Sequence, residues 1–162
     1  MATGPQHRLS HLDESGAAHM VDVTDKTVTA RTAVAVGFVR TTAEVVDLIS
    51  AGGLPKGDAL STARIAGILA AKRTSDLIPL CHPLPLSGID VDFSVHDAAI
   101  GIAATVRTTD RTGVEMEALT AVSVAALTLF DMIKAVDPAA RIDDIKVVRK
   151  EGGKTGLWTR ES

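Results

Sequence analysis

The run Gly88-Ile89-Asp90-Val91-Asp92-Phe93-Ser94-Val95, followed after His96-Asp97-Ala98 by Ala99-Ile100-Gly101-Ile102-Ala103-Ala104-Thr105-Val106-Arg107, decides the fold. Apolar and polar residues alternate through the first part with the period of two expected of a half-buried strand. The short link makes the pair a β-hairpin, and hence an antiparallel sheet. Asp90 and Asp92 share one face, and the solvated side of that strand explains them better than a catalytic pair does.

Upstream, Thr27 to Phe38 reads as a further strand, with Val28, Ala30, Thr32, Val34 and Val36 alternating with Thr29, Arg31, Ala33 and Ala35. By position alone Arg31 points to solvent. Thr41-Thr42-Ala43-Glu44 opens a helix in capping-box style, with a hydroxyl three residues before the acid. Val45, Leu48 and Ile49 form its apolar stripe, and Gly52-Gly53 ends it. Lys56 then sits in a glycine-flanked loop. Leu60 to Lys72 reads as a second helix, with Ile65, Ile68 and Leu69 inward and enough Ala and Gly for close backbone packing.

Leu77-Ile78-Pro79-Leu80-Cys81-His82-Pro83-Leu84-Pro85-Leu86 contains three prolines in ten residues, which exclude a helix interior and favour extended backbone before each ring. The leucines predict burial. A stiff, buried segment carrying a thiol and an imidazole has the character of a site wall, although a lone buried Cys or His has an ordinary packing explanation too.

Downstream, Thr108 to Gly113 is a polar turn. From Leu119 to Val136 a nearly all-apolar helix follows, which predicts burial on several sides, including against another subunit. Asp131 and Lys134 interrupt it three residues apart, within reach on one face. A buried pair of that kind is a poor stabiliser, which points to chemistry. Glu115 and Glu117 project to one side if the backbone is extended there, and roughly opposite ways if it is already helical. Arg141 to Arg149 is a last strand leading to Gly152-Gly153-Lys154-Thr155. A Walker A loop would need glycine where Val148 stands, so a triphosphatase loop is excluded.

Composition narrows the function classes. The 162 residues suit one domain, and the net charge of −3 gives no bulk attraction to nucleic acid. Phe38, Phe93, Phe130 and Trp158 are the only aromatics, too few for base-stacking platforms. Cys81 is the single cysteine, so no internal disulfide or multi-thiolate metal centre can form, and adjacent Cys81 and His82 are poorly placed to ligate one ion. Met1 to Ser10 has no long apolar run and no stretch approaches a membrane span, so a cytoplasmic location without membrane attachment is expected. The expected domains are a mobile arm over 1–18, a single catalytic domain over 19–158 and a tail over 159–162.

Six ordered runs carry a resemblance: His19-Met20-Val21-Asp22-Val23, Lys56-Gly57-Asp58, Thr62-Ala63-Arg64-Ile65-Ala66-Gly67, Asp76 to Leu84, Thr112-Gly113-Val114-Glu115-Met116-Glu117-Ala118-Leu119-Thr120 and Gly152-Gly153-Lys154-Thr155-Gly156. Together they closely resemble the cyclic pyranopterin monophosphate synthase family, the molybdenum cofactor biosynthesis protein C family. The resemblance implies an α/β (α+β) fold: a ferredoxin-like antiparallel sheet with helices packed on one face, in a homohexamer built as a trimer of dimers with sites at subunit interfaces. It implies conversion of 3′,8-cyclo-7,8-dihydroguanosine 5′-triphosphate to cyclic pyranopterin monophosphate with release of diphosphate; no cofactor and no metal-ligating residues are expected. It places substrate contacts at Leu80, Cys81, His82, Met116 and Glu117, and catalytic or charged groups at Lys56, Glu115, Asp131, Lys134 and Lys150. His82 is also expected to transfer protons, and Lys154 and Arg31 are further candidates for the triphosphate. The competing class is an inert nucleotide-binding regulatory module on the same fold.

Overall fold

A computed structural model describes residues 11–13, 15–54, 56–154 and 156–161. Strand β1 (Thr29–Arg40) is followed by helices α1 (Ala43–Ser50), α2 (Ala59–Ala71) and the one-turn α3 (Thr74–Leu77). The hairpin of β2 (Leu86–His96) and β3 (Ala99–Asp110) leads to α4 (Glu115–Ile133), then β4 (Arg141–Glu151) and β5 (Trp158–Thr159). The sheet runs β2-β3-β1-β4-β5 with every neighbour antiparallel. Its first four strands have the β-α-β-β-α-β order of a ferredoxin-like α+β fold. Most of residues 1–18, expected as an arm, lie outside the described residues. Within 11–18, Leu12 bridges Ala18, and Asp13 Oδ1 accepts from the Ser15 and Ala17 amides. At the other end the expected tail begins inside β5, and Arg160 donates to the Val147 carbonyl at 2.8 Å.

The hairpin turns at Asp97-Ala98, with His96 opposite Ala99, and Asp90 lies outside, paired to Arg107 at 2.6 Å. The first helix ends in a Schellman arrangement: Gly52 takes φ +67°, its amide donates to Ile49, and the Gly53 amide donates to Leu48 at 2.8 Å. Its start is shifted by one residue from the expected capping box. Thr42 is the N-cap and accepts from the Val45 amide, while Thr41 donates to the buried Asp137 at 2.8 Å. Tying down the start of the β1–α1 link outweighed local capping at Thr41.

Two inward faces differ from the sequence reading, for the same reason. In β1 the buried residues are Ala33, Ala35, Gly37 and Val39, whereas Val34, Val36 and Phe38 are only half-buried. In α2 the buried residues are Ala59, Ala63, Gly67, Ala70 and Ala71, whereas Ile65 and Leu69 are 60% and 53% exposed. Helix α4 lies so close to both elements that only small side chains fit beneath it. A Cβ on Gly37 would come 2.8 Å from Val122 Cγ1, and one on Gly67 would come 2.9 Å from the Ala121 carbonyl oxygen. By length and composition alone α4 would pass for a membrane span. Ala118, Ala121, Val122, Ala125, Ala126 and Leu129 instead form the centre of the core, against Ile100, Ile102, Ala104 and Val106 of β3.

The close approach of α2 and α4 is directly testable. Gly67→Ala gains up to about 1 kcal/mol of helix propensity, but its methyl meets a backbone carbonyl that cannot rotate away, and overpacking of this kind costs about 1–3 kcal/mol. Urea unfolding should show a lower midpoint at an unchanged slope, a net loss of roughly 1–2 kcal/mol.

Candidate active site

The proline-rich segment is less buried than its leucines predicted. Leu77 ends α3 in solvent, Pro79, Pro83 and Pro85 face outward, and Leu84 and Leu86 pack on the core. The alternation leaves Cys81 and His82 half-buried on the wall of a cleft of about 290 Å³, which they share with Leu80, Met116, Glu117 and Glu115. The segment is thus a one-sided wall, stiff because its prolines restrict it.

Helix α4 begins at Glu115, which settles the direction of the two acids. Glu117 turns inward and is 4% exposed, and burial pushes its carboxyl above the ordinary 4.5, with a smaller push from Glu115. Burial likewise raises the Cys81 thiol above 9.0, and the Glu117 charge adds to it. Glu115 turns the other way, 3.2 Å from Lys150 Nζ. A buried acid that holds its proton more tightly than usual, next to an acid held by a lysine, is a donor–acceptor arrangement suited to proton transfer.

A second cleft of about 250 Å³ continues from the first through Lys26, Thr112, Gly113 and Glu115. Lys26, Arg31, Arg111, Lys150 and Lys154 line it against two carboxylates, Glu115 and Glu151. In a net-acidic chain this is a focused cationic trough, the requirement for a polyanion. Lys150 and Lys154 lie where the sequence reading placed an anion site. Thr155 lies outside the described residues. Lys26 and Arg111 were missed, because an isolated base before a strand and another in a polar turn carry no pattern of their own. Between the cleft residues Val21 and Val23, the exposed Asp22 carboxyl is held below 3.8 mainly by the Thr24 hydroxyl and amide, with a small contribution from His82.

Lys56, Asp131 and Lys134 form a separate group at the far end of α4. Lys56 Nζ donates to Asp131 Oδ2 at 2.7 Å and to its carbonyl at 2.9 Å, and Lys134 Nζ lies 2.8 Å from Oδ1. Hydrogen bonds and charge from Lys134, then from Lys56, lower the Asp131 carboxyl to about 2. The Asp–Lys pair is not buried in the subunit as expected: the two side chains are 54% and 52% exposed, because they lie on the outward face at the end of α4, while Met132 and Ile133 beside them face the core. An ion pair this wet contributes little to stability. Sixteen helical residues separate Asp131 from Glu115, about 24 Å at 1.5 Å per residue. One chain therefore carries the sequence-derived site as two separate groups.

Two titrations follow. The Asp131 pairing is complete above its ordinary value of 3.8 and is lost as pH falls through about 2, so a carbon-detected NMR titration should give a midpoint near there, moved towards 3.8 by Lys56→Ala or Lys134→Ala. At Glu117 the sign is opposite: its contribution to stability is full below 4.5 and is lost as pH rises through its raised folded value. Glu117→Gln should move the midpoint of Cys81 alkylation with pH downward, leaving it still above 9.0 because burial remains.

Comparison with known proteins is consistent with this geometry. The MoaC family matches residues 20–153. A Mycobacterium tuberculosis (strain H37Rv) protein named cyclic pyranopterin monophosphate synthase 2 is 75% identical over 152 residues, 94% of this chain and 91% of that one. The cyclic pyranopterin monophosphate synthases of Streptomyces coelicolor and Corynebacterium glutamicum (strain R) are 67% and 60% identical, over 96% and 94% of this chain and 92% and 97% of theirs. Matched over nearly its whole length, the chain belongs to the MoaC family.

Proposed function

We propose that this protein converts 3′,8-cyclo-7,8-dihydroguanosine 5′-triphosphate to cyclic pyranopterin monophosphate, releasing diphosphate, in molybdenum cofactor biosynthesis. The observation that carries the reading is the continuity of the two clefts: a half-apolar pocket with Cys81, His82 and buried Glu117 opens into a trough of five cations. The first suits a ring system undergoing proton transfers, the second a triphosphate. An inert nucleotide-binding module would need the trough but has no use for a buried acid beside the pocket.

In this mechanism Leu80, Cys81, Met116 and His82 hold the base, and Glu117, Glu115 and His82 move protons as the five-membered ring opens and the pterin closes. Lys150, Lys154, Arg111 and Lys26 hold the phosphates and stabilise the charge that develops on departing diphosphate as the internal phosphate ester forms. Lys56, Asp131 and Lys134 enter from a neighbouring copy, in a homohexamer arranged as a trimer of dimers. Two observations support that placement. The group lies about 24 Å along one helix from Glu115, and Leu127, one turn before Asp131 on the same face, is 58% exposed beside a helix that exposes Ile65 and Leu69. The catalytic domain spans 19–158, and the reaction is placed in the cytoplasm.

Diphosphate release from the cyclic nucleotide tests the activity. Lys134→Ala and His82→Ala should each lose roughly 10²–10⁴-fold. Mixing the two inactive variants after subunit exchange should restore activity, since about one site in four would then take its intact groups from two different copies. Full turnover by Lys134→Ala would refute the role assigned to it, and no recovery on mixing would refute the shared site.

A further inference from the structure

Arg31, expected by position to point to solvent and by resemblance to reach the triphosphate, is half-buried and lines the trough. It lies on the helix-facing side of β1, the side of Ala33 and Ala35. Its Nε donates to the Asp110 carbonyl at 2.9 Å and its Nη2 to the Arg111 carbonyl at 3.0 Å, so the fork closes the end of β3 where the strand gives way to the loop before α4. On its other side lies the β4–β5 turn. A methyl group on Gly153 would overlap Arg31 Nη1, and one on Gly152 would overlap the Ala30 carbonyl oxygen. The Gly153 amide also donates to Thr29 Oγ1 at 3.2 Å. Both glycines have positive φ, +92° and +68°, so the turn is shaped to lie flat on β1 at this point.

The two segments that meet on Arg31 each carry a cation of the trough: Arg111 on one, Lys154 on the other. We propose that Arg31 is a positioning residue, which sets the spacing of the Arg111 and Lys154 loops and so the width of the phosphate-binding trough, and is not itself the main phosphate ligand. Two of its three nitrogens already donate to backbone carbonyls. Only a planar fork can serve both carbonyls and present a flat face to Gly153; a lysine ammonium in its place would keep the charge and lose the geometry.

This inference rests on the trough's being the phosphate site, and calorimetric binding of inorganic diphosphate to the intact protein separates the two ideas. If wild type binds diphosphate and Arg111→Ala and Lys154→Ala weaken it, the trough reading stands. Arg31→Lys, which conserves charge, should then weaken diphosphate binding by about 10-fold or more. Thr29→Val and Gly153→Ala, which remove no charge, should weaken it in the same direction. The Arg31→Ala/Gly153→Ala double variant should lose little beyond Arg31→Ala, because both act on one arrangement. In turnover, Arg31→Lys should raise KM and lower kcat together, because the Arg111 and Lys154 it positions both hold the phosphates and stabilise the departing diphosphate. Arg31→Lys binding diphosphate as wild type does would overturn the inference while leaving the trough intact. Wild type that binds no diphosphate would overturn both.

Discussion

The contact between the bare backbone of Gly67 and the Ala121 carbonyl is the constraint on which this structure depends. It allows α2 to lie against α4 at a distance that any side chain would increase. The two helices pack so that the loop before α2 delivers Lys56 to the last turn of α4, where it meets Asp131. Past the other end of α2, the chain turns through α3 into the segment that puts Cys81 and His82 beside Met116 and Glu117, at the first turn of α4. Displacing one helix by the thickness of a methyl group would move both the lysine–aspartate group and the cleft wall at once.

Electrostatics and packing divide the labour along α4. Its middle is apolar and buried, which excludes charge. In its two end turns the core takes only one face, through Ala118, Met132 and Ile133, and the charged residues collect in those turns. At the first turn one acid is turned inward, where burial makes it hold its proton more tightly than usual, while the other faces a lysine in the cationic trough. At the last turn a single carboxylate holds two lysines in fixed positions. A net charge of −3 makes the concentration of five cations in one cleft the more specific.

Much of the fold was legible residue by residue. The hairpin turns where alternation broke at His96-Asp97-Ala98, α1 ends on the glycine pair, and Asp90 sits on the outer face. The wall of the pocket was legible because prolines act locally, through ring geometry. Arg31 was not, because its partners are backbone carbonyls 79 and 80 residues away, and backbone groups have no sequence identity. Lys26 and Arg111 acquire meaning only once β1 and β3 bring their loops beside Gly152.

Sequence alone thus determined the order of the longer strands and helices, the antiparallel hairpin, the glycine stop of α1 and the residue types available for chemistry, since each follows from local periodicity, ring restriction or backbone freedom. Tertiary structure decided which face of β1 and α2 is inward, and the reason is volume. Large and small residues recur at the same helical and strand periods, and only the proximity of α4 selects the small ones. It also decided that the lysine–aspartate group and the acid–thiol pocket lie at opposite ends of one helix, since distance along a rigid rod becomes distance in space only when the rod is known to be continuous.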